Sequence, residues 1–148
     1  MLGNTGEAEK ELKLLRPDLR DRPDVMDLAW EIHARNKAWP KALRAASQIA
    51  KRTPESANGW IKTAFTLHEL KRTQKAWDTL QKIRPRFPEI GLIPYNLACY
   101  ACQLGKRVEV LEMLVRAVAI DDKRSIREQA LNDPDLAPMK SEIAALLG

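Results

Sequence analysis

Two cysteines in a C-x-x-C arrangement are the residues of this sequence whose types and spacing could do chemistry. Cys99 and Cys102 could form a redox dithiol, which needs a strand–helix–strand setting and a helix N-terminus to lower the thiol pKa. They could also belong to a zinc site with His68, which lies 34 residues before Cys102. The flanking residues have the apolar spacing of a helix interior, so we predict structural cysteines and no metal site.

No other catalytic motif stands out along the chain. There is no glycine-rich phosphate loop, no HExxH and no GxSxG, and the 6 glycines are dispersed. Acidic residues such as Asp122 and Asp133 lie where helices are expected to begin or end, and His33 occupies a core slot between helices. We therefore predict no catalytic, cofactor-binding or metal-binding residues, and a protein that is not an enzyme.

Composition and length are those of a single water-soluble globular domain covering residues 1–148. The chain is 45% hydrophobic and 30% charged, and its net charge is +5. It has no apolar run of about 20 residues that could cross a membrane, and its polar, acidic start differs from a secretion signal. We expect a cytoplasmic protein.

The positive charge leaves open a second kind of partner. The basic residues are scattered, and most lie at expected helix ends, where solvated positive side chains are favoured by the helix dipole. The alternative is binding of RNA or of another acidic partner, through the following side chains: Lys71, Arg72, Lys75, Lys106 and Arg107. Nucleic acid is the less favoured partner.

The elements that must position these residues are helices, because apolar residues recur at spacings of three and four along the whole chain. Prolines and Gly105 separate the periodic segments. The spacing predicts helices at about 7–16, 24–36, 40–52, 57–70, 73–84, 93–104, 107–120, 124–131 and 135–147.

Residue classes recur every 34 positions. Ala8, Ala42 and Ala76 are followed by Val110 at the same step. A period of this length is typical of stacked helical repeats, in which no pair of helices buries its apolar face alone. The expected role of such a protein is to bind other proteins.

The pattern inside each period resembles the tetratricopeptide repeat. The middle repeat has Trp60, Ala64, Ala76 and Pro88 at the positions of the W-x2-L-G-x2-Y…A…P pattern. The resemblance implies an all-α fold, a right-handed solenoid of antiparallel helix pairs. It implies a half repeat at 7–22, repeats at 23–56, 57–90 and 91–124, and capping helices at 125–148.

One residue departs from the repeat pattern. Trp30 fills a position where a small residue usually allows two helices to touch. We expect it either to splay the first pair or to be accommodated by the neighbouring Ala45 and Ala46.

The resemblance also implies a concave groove lined by the first helix of each pair. The residues expected to line it are Asp27, Glu31, Arg35, Asn58, Ile61, Lys62, Phe65, Glu69, Leu92, Tyr95, Asn96, Cys99 and Gln103. Its apolar middle would suit a peptide, unless the final helix or the N-terminal segment covers part of it. Some members of the family hold a partner's terminal carboxylate with groove lysines and asparagines. Only Lys62 and Asn96 are suitable donors here, so we disfavour such a ligand.

The leading hypothesis is a non-catalytic scaffold that binds a partner protein or peptide in this groove, with no cofactor. A third possibility, besides the basic surface, is self-association as a homodimer through the N-terminal helix. The first helix of that half repeat is missing, which leaves an apolar face at Ala8, Leu12 and Leu15.

Overall fold

A computed structural model describes residues 5–148, with side chains from residue 6 onward. Within this range the chain forms ten α-helices joined by short turns, and no strand. Their bounds are α1 Thr5–Leu14, α2 Pro17–Arg20, α3 Pro23–Arg35, α4 Trp39–Arg52, α5 Asn58–Glu69, α6 Thr73–Ile83, α7 Leu92–Gln103, α8 Arg107–Ile120, α9 Lys123–Asn132 and α10 Lys140–Leu147. Short 3-10 segments lie at Arg84–Arg86 and Pro134–Met139.

The chain divides into two compact units, Met1–Lys71 and Arg72–Gly148. The first contains α1 to α5 and the second contains α6 to α10. The sequence predicts one domain over 1–148, and the division falls inside the predicted repeat 57–90.

In the first unit, α4 packs against both α3 and α5, and α1 packs on α3. The contact between α4 and α5 is close at Gly59 of α5. A Cβ at that position would lie 2.3 Å from the backbone nitrogen of Ala50 in α4. Ala42, Ala46 and Ala64 are fully buried in this unit. Small residues therefore lie where the helices approach most closely.

In the second unit, α7 packs against α8 and also contacts α6 and the Pro134–Met139 segment. Leu80, Leu97, Leu114 and Ile143 are fully buried here. The last predicted helix, 135–147, is divided into the 3-10 segment and α10. Pro138 lies inside the 3-10 segment, and its missing N–H and its ring disfavour a continuous α-helix through this stretch.

The 34-residue period is also present in the backbone. Lys37, Lys71 and Gly105 follow α3, α5 and α7 at 34-residue steps, and their φ angles are 54°, 63° and 75°. After α7 the amide of Lys106 donates to the carbonyl of Ala101 at 2.8 Å, the bond that closes a helix with a left-handed residue. Each of these helices thus ends in a left-handed turn.

Among residues 5–148, every helix is too short or too polar to span a lipid bilayer.

Candidate functional site

Three polar side chains of the predicted groove form one hydrogen-bonded group in the first unit. Asn58 of α5 donates from Nδ2 to Asp27 Oδ1 of α3 at 2.8 Å. Lys62, one turn further along α5, donates from Nζ to the same oxygen at 3.2 Å and to Asn58 Oδ1 at 2.8 Å. The Lys62 side chain is only 18% exposed, and its burial is compensated by these charged and polar partners.

Aromatic side chains lie beside this group. Phe65 of α5 makes edge-to-face contacts with Trp30 of α3, at 6.0 Å between ring centroids, and with Trp39 of α4, at 6.2 Å. The Lys62 ammonium lies 5.2 Å from the centroid of the Trp30 ring. Phe65 is 38% exposed, so a ring held from two sides presents apolar surface to solvent.

Trp30 is directed toward α5, which neither of the two sequence-based expectations anticipated. Its indole Nε1 donates to Thr66 Oγ1 at 3.0 Å, and the Thr66 hydroxyl donates to the Lys62 carbonyl at 2.7 Å. Thr66 is fully buried, so this bond satisfies a polar group inside the unit. The indole therefore lies between α3 and α5, while Ala46 of α4 is fully buried.

The remaining predicted groove residues of the first unit surround these two groups. Glu31 and Arg35 are exposed on α3, and Ile61 and Glu69 are half-buried on α5. The structure therefore brings together four of the predicted residues, Asp27, Asn58, Lys62 and Phe65, with two tryptophans. The contact of each tryptophan with Phe65 depends on a helix rotation that residue spacing does not determine.

In the second unit, the C-terminal segment covers part of the α7 face that the resemblance assigns to the groove. Tyr95 and Cys99 are 2% and 5% exposed. The Tyr95 hydroxyl donates to Asp133 Oδ2 at 2.7 Å, and Gln103 donates to the carbonyl of Asp135 at 3.0 Å. The exposure expected for Tyr95 and Cys99 is thus absent, because Pro134–Met139 packs on α7. Leu92, at 46% exposed, and the half-buried Asn96 remain accessible.

The one three-residue ligand group within 6–148 consists of Cys99, Asp133 and Asp135, whose ligand atoms lie within 4.8 Å of one another. It contains neither Cys102 nor a histidine, and so differs from the zinc set considered in the sequence. The Asp133 carboxylate accepts hydrogen bonds from the Tyr95 hydroxyl, from the Cys99 thiol at 3.6 Å and from the Asp135 amide at 3.0 Å. The group therefore ties the C-terminal segment to α7.

Burial determines the acidity of the groups at this tie. It raises the pKa of the Tyr95 hydroxyl and of the Cys99 thiol, and the nearby Asp133 carboxylate raises both further. Burial also raises the pKa of Cys102, which is half-buried. Both thiols are free and are held in the protonated form, which is the opposite of what a reactive dithiol needs.

One signal in the sequence could have identified the tie. Asp133 lies 34 residues after Cys99, one full period, and two residues one period apart in a stacked repeat are candidates for contact. The polar group of the first unit has similar separations, since Lys62 follows Asp27 by 35 residues.

Two of the basic residues proposed for RNA binding are engaged within the second unit. The Lys106 ammonium lies 5.6 Å from the centroid of the Trp77 ring, and Arg107 pairs with Glu142 of α10. Lys71, Arg72 and Lys75 are exposed. The available positive charge is therefore smaller than the sequence suggests.

The apolar face expected on the N-terminal helix is largely used within the first unit. Ala8, Leu12 and Leu15 are half-buried, and α1 packs on α3. Leu14 is 84% exposed, but a single exposed leucine is ordinary for a monomer.

No protein-family model matches this chain, and no curated protein does. Among solved structures, MamA MSR-1 C2 is 20% identical with a TM-score of 0.68, and the match covers 83% of this chain and 70% of that one. The TPR2B domain of yeast Sti1, solved in a complex with pHsp70, is 20% identical with a TM-score of 0.63, and the match covers 84% of this chain and 94% of that one. Likeness at this identity concerns the fold alone. This chain has the all-α fold of tetratricopeptide-repeat structures.

Proposed function

We propose that the protein is a non-catalytic interaction module that binds an apolar segment of a partner protein on the α3–α5 face of its first unit. The observation that carries the proposal is Phe65, an aromatic ring 38% exposed at the centre of this face and held by Trp30 and Trp39. Rigid aromatic anchors contribute much of the binding energy at protein interfaces, because little side-chain entropy is lost when they are covered.

The charged neighbours support an apolar ligand over a carboxylate. The Lys62 ammonium already donates to Asp27 and Asn58 and lies against the Trp30 ring. A partner's carboxylate would have to displace Asp27 from this group, which costs free energy in a partly buried site. The pHsp70 complex is a property of the Sti1 domain. For this chain we propose a different recognition mode, in which a partner's apolar side chain covers Phe65.

The absence of catalysis is part of the same proposal. The polar side chains of the face bind one another, and the thiols of the second unit are held protonated by burial. Neither thiol has the lowered pKa that a cysteine nucleophile needs.

The test is selection of peptides from a displayed random library against the full chain, followed by affinity measurements with single variants. We expect Phe65→Ala to weaken the selected peptides at least tenfold, since removal of an interface anchor typically costs about 2 kcal/mol or more. Val115→Ala is the matched control, because Val115 is 49% exposed on α8 in the second unit. Selected peptides that bind Phe65→Ala as tightly as the unmodified protein would refute the proposal.

A further inference from the structure

A cavity of about 370 Å³ lies in the first unit, where α1 crosses α3 and α4. It is separate from the Phe65 face and is lined by residues from α1 to α4. The Glu9–Lys41 ion pair joins α1 to α4 across it. Its size is within the range of small-molecule sites, which is about 300–1,000 Å³.

The floor of the cavity is apolar. Val25, Met26 and Ala29 contribute from α3, Leu12 from α1 and Ala45 from α4. Ala29 and Ala45 leave open the volume that larger side chains would fill. An apolar floor of this kind favours a hydrocarbon group over water.

Positive charge surrounds the floor. Lys13, Arg20, Lys41 and Arg44 line the cavity, against the single carboxylate of Glu9. Glu9 pairs with Lys41 and, at 4.0 Å, with Lys13. Arg44 forms no hydrogen bond or ion pair with any residue in 6–148, so its guanidinium is available to an anion.

A histidine ring lies in the same wall. His33 lines the cavity, and its Nδ1 is buried without a hydrogen-bond partner among residues 6–148. Burial lowers the pKa of His33, which keeps the ring neutral at pH 7. Because Nδ1 has no accessible surface, the ring can meet a ligand only at its other nitrogen, and in the Nε2–H tautomer that nitrogen donates to a ligand oxygen.

We propose that this cavity binds a small amphiphilic anion, an alkyl carboxylate whose chain lies on the Met26–Ala29–Ala45 floor and whose carboxylate meets Arg44 and His33. The volume of the cavity is within the range of small-molecule sites, which favours a small molecule over a partner helix.

Isothermal titration of the full chain with decanoate, below the concentration at which it forms micelles, tests the proposal. We expect one saturable site per chain. Acetate has the charge without the chain and 1-decanol has the chain without the charge, and both should bind at least tenfold more weakly. Binding at many sites, or no saturable binding, would overturn the proposal.

Variants separate the two parts of the site. Arg44→Gln should weaken decanoate about tenfold, as expected for loss of a charge-assisted hydrogen bond. Lys51→Gln is the matched control, an exposed cation on the same helix that does not line the cavity. Ala45→Leu should block binding by filling the floor, and Ala29→Leu is the second filling variant if the first loses helical circular dichroism. If Arg44→Gln and a folded filling variant both bind decanoate as tightly as the unmodified protein does, the proposal is overturned.

A site-specific readout completes the test. Decanoate should shift the His33 ring signals in an NMR titration and leave those of His68 unchanged, because His68 does not line the cavity. Binding that leaves the His33 signals in place would contradict the assignment. If decanoate does not bind in this cavity, the Phe65 proposal is not contradicted, since neither His33 nor Arg44 belongs to the Phe65 face.

Discussion

Thr66 shows how a single buried hydroxyl can join two helices. It accepts a hydrogen bond from the Trp30 indole and donates to the Lys62 carbonyl. An unpaired indole N–H would remain if the hydroxyl were removed, and leaving a buried donor unsatisfied costs more than the bond itself contributes.

We expect Thr66→Val to lower the free energy of unfolding by about 1–2 kcal/mol, measured by urea denaturation. Thr79→Val is the matched control. Thr79 makes the same bond to the carbonyl four residues earlier, at 2.7 Å to Lys75, but its hydroxyl is exposed and accepts from no described residue on another helix. Equal losses in both variants would show that the Trp30 contact contributes nothing.

His33 should make stability depend on pH. Burial lowers its pKa below 6.5; Glu9 opposes this shift, while Lys41, Arg44 and Lys13 reinforce it. The unfolded chain therefore binds a proton at His33 before the folded chain does as the pH falls. The contribution of neutral His33 is fully present above the unfolded pKa, and it is lost from about pH 6.5 downward until the folded pKa is passed.

Urea midpoints measured between about pH 7.5 and about pH 5.5 should fall with decreasing pH. They should fall less in His33→Gln, which has no titrating ring. The same pH slope in both proteins would rule out His33 as the source.

At the scale of the elements, the three left-handed turns differ in the residue that occupies them. Gly105 adopts its φ of 75° freely, whereas Lys37 and Lys71 adopt similar angles with a side chain. A left-handed conformation costs an L-residue about 1–2 kcal/mol. Two of the three turns therefore contain strain that glycine would relieve.

We expect Lys37→Gly to raise the free energy of unfolding by up to about 1 kcal/mol and Gly105→Ala to lower it by a similar amount. A Cβ at Gly105 would meet nothing within 4 Å, so the loss there would come from the backbone alone. Thermal denaturation of both variants measures the changes. If Lys37→Gly lowers the free energy of unfolding instead, the lysine side chain contributes more stability than its left-handed backbone costs.

The α4–α5 contact depends on Gly59. A Cβ there would lie 2.3 Å from the Ala50 nitrogen, a backbone atom that cannot move without shifting a helix. We expect Gly59→Ala to destabilise the protein by about 3 kcal/mol or more, as overpacking does. Gly6→Ala is the control, because nothing lies within 4 Å of that site in α1, and alanine should stabilise a helix there by about 0.5–1 kcal/mol. Chemical denaturation of both variants distinguishes steric from conformational effects.

At the scale of the whole molecule, the sequence predicts the helices well and their lateral contacts poorly. The helix predicted at 24–36 is Pro23–Arg35, and the one predicted at 107–120 is Arg107–Ile120. Apolar spacing and proline positions determine these limits directly. The covering of Tyr95 could not be predicted with the same certainty, because spacing alone does not show which helix face the C-terminal segment will pack on. For the same reason the direction of Trp30 had to come from the structure.

The turn at Lys71 has a consequence for how the chain can be cut. Lys71 and Arg72 are exposed between α5 and α6, and the two compact units meet in sequence between these residues. The chain offers trypsin 25 lysines and arginines, most of them on helices whose backbone does not fit a protease cleft. Cleavage at this turn would yield two fragments of nearly equal mass. Their survival would show that each half folds autonomously, so that the protein could be inherited, exchanged or engineered as two separable parts.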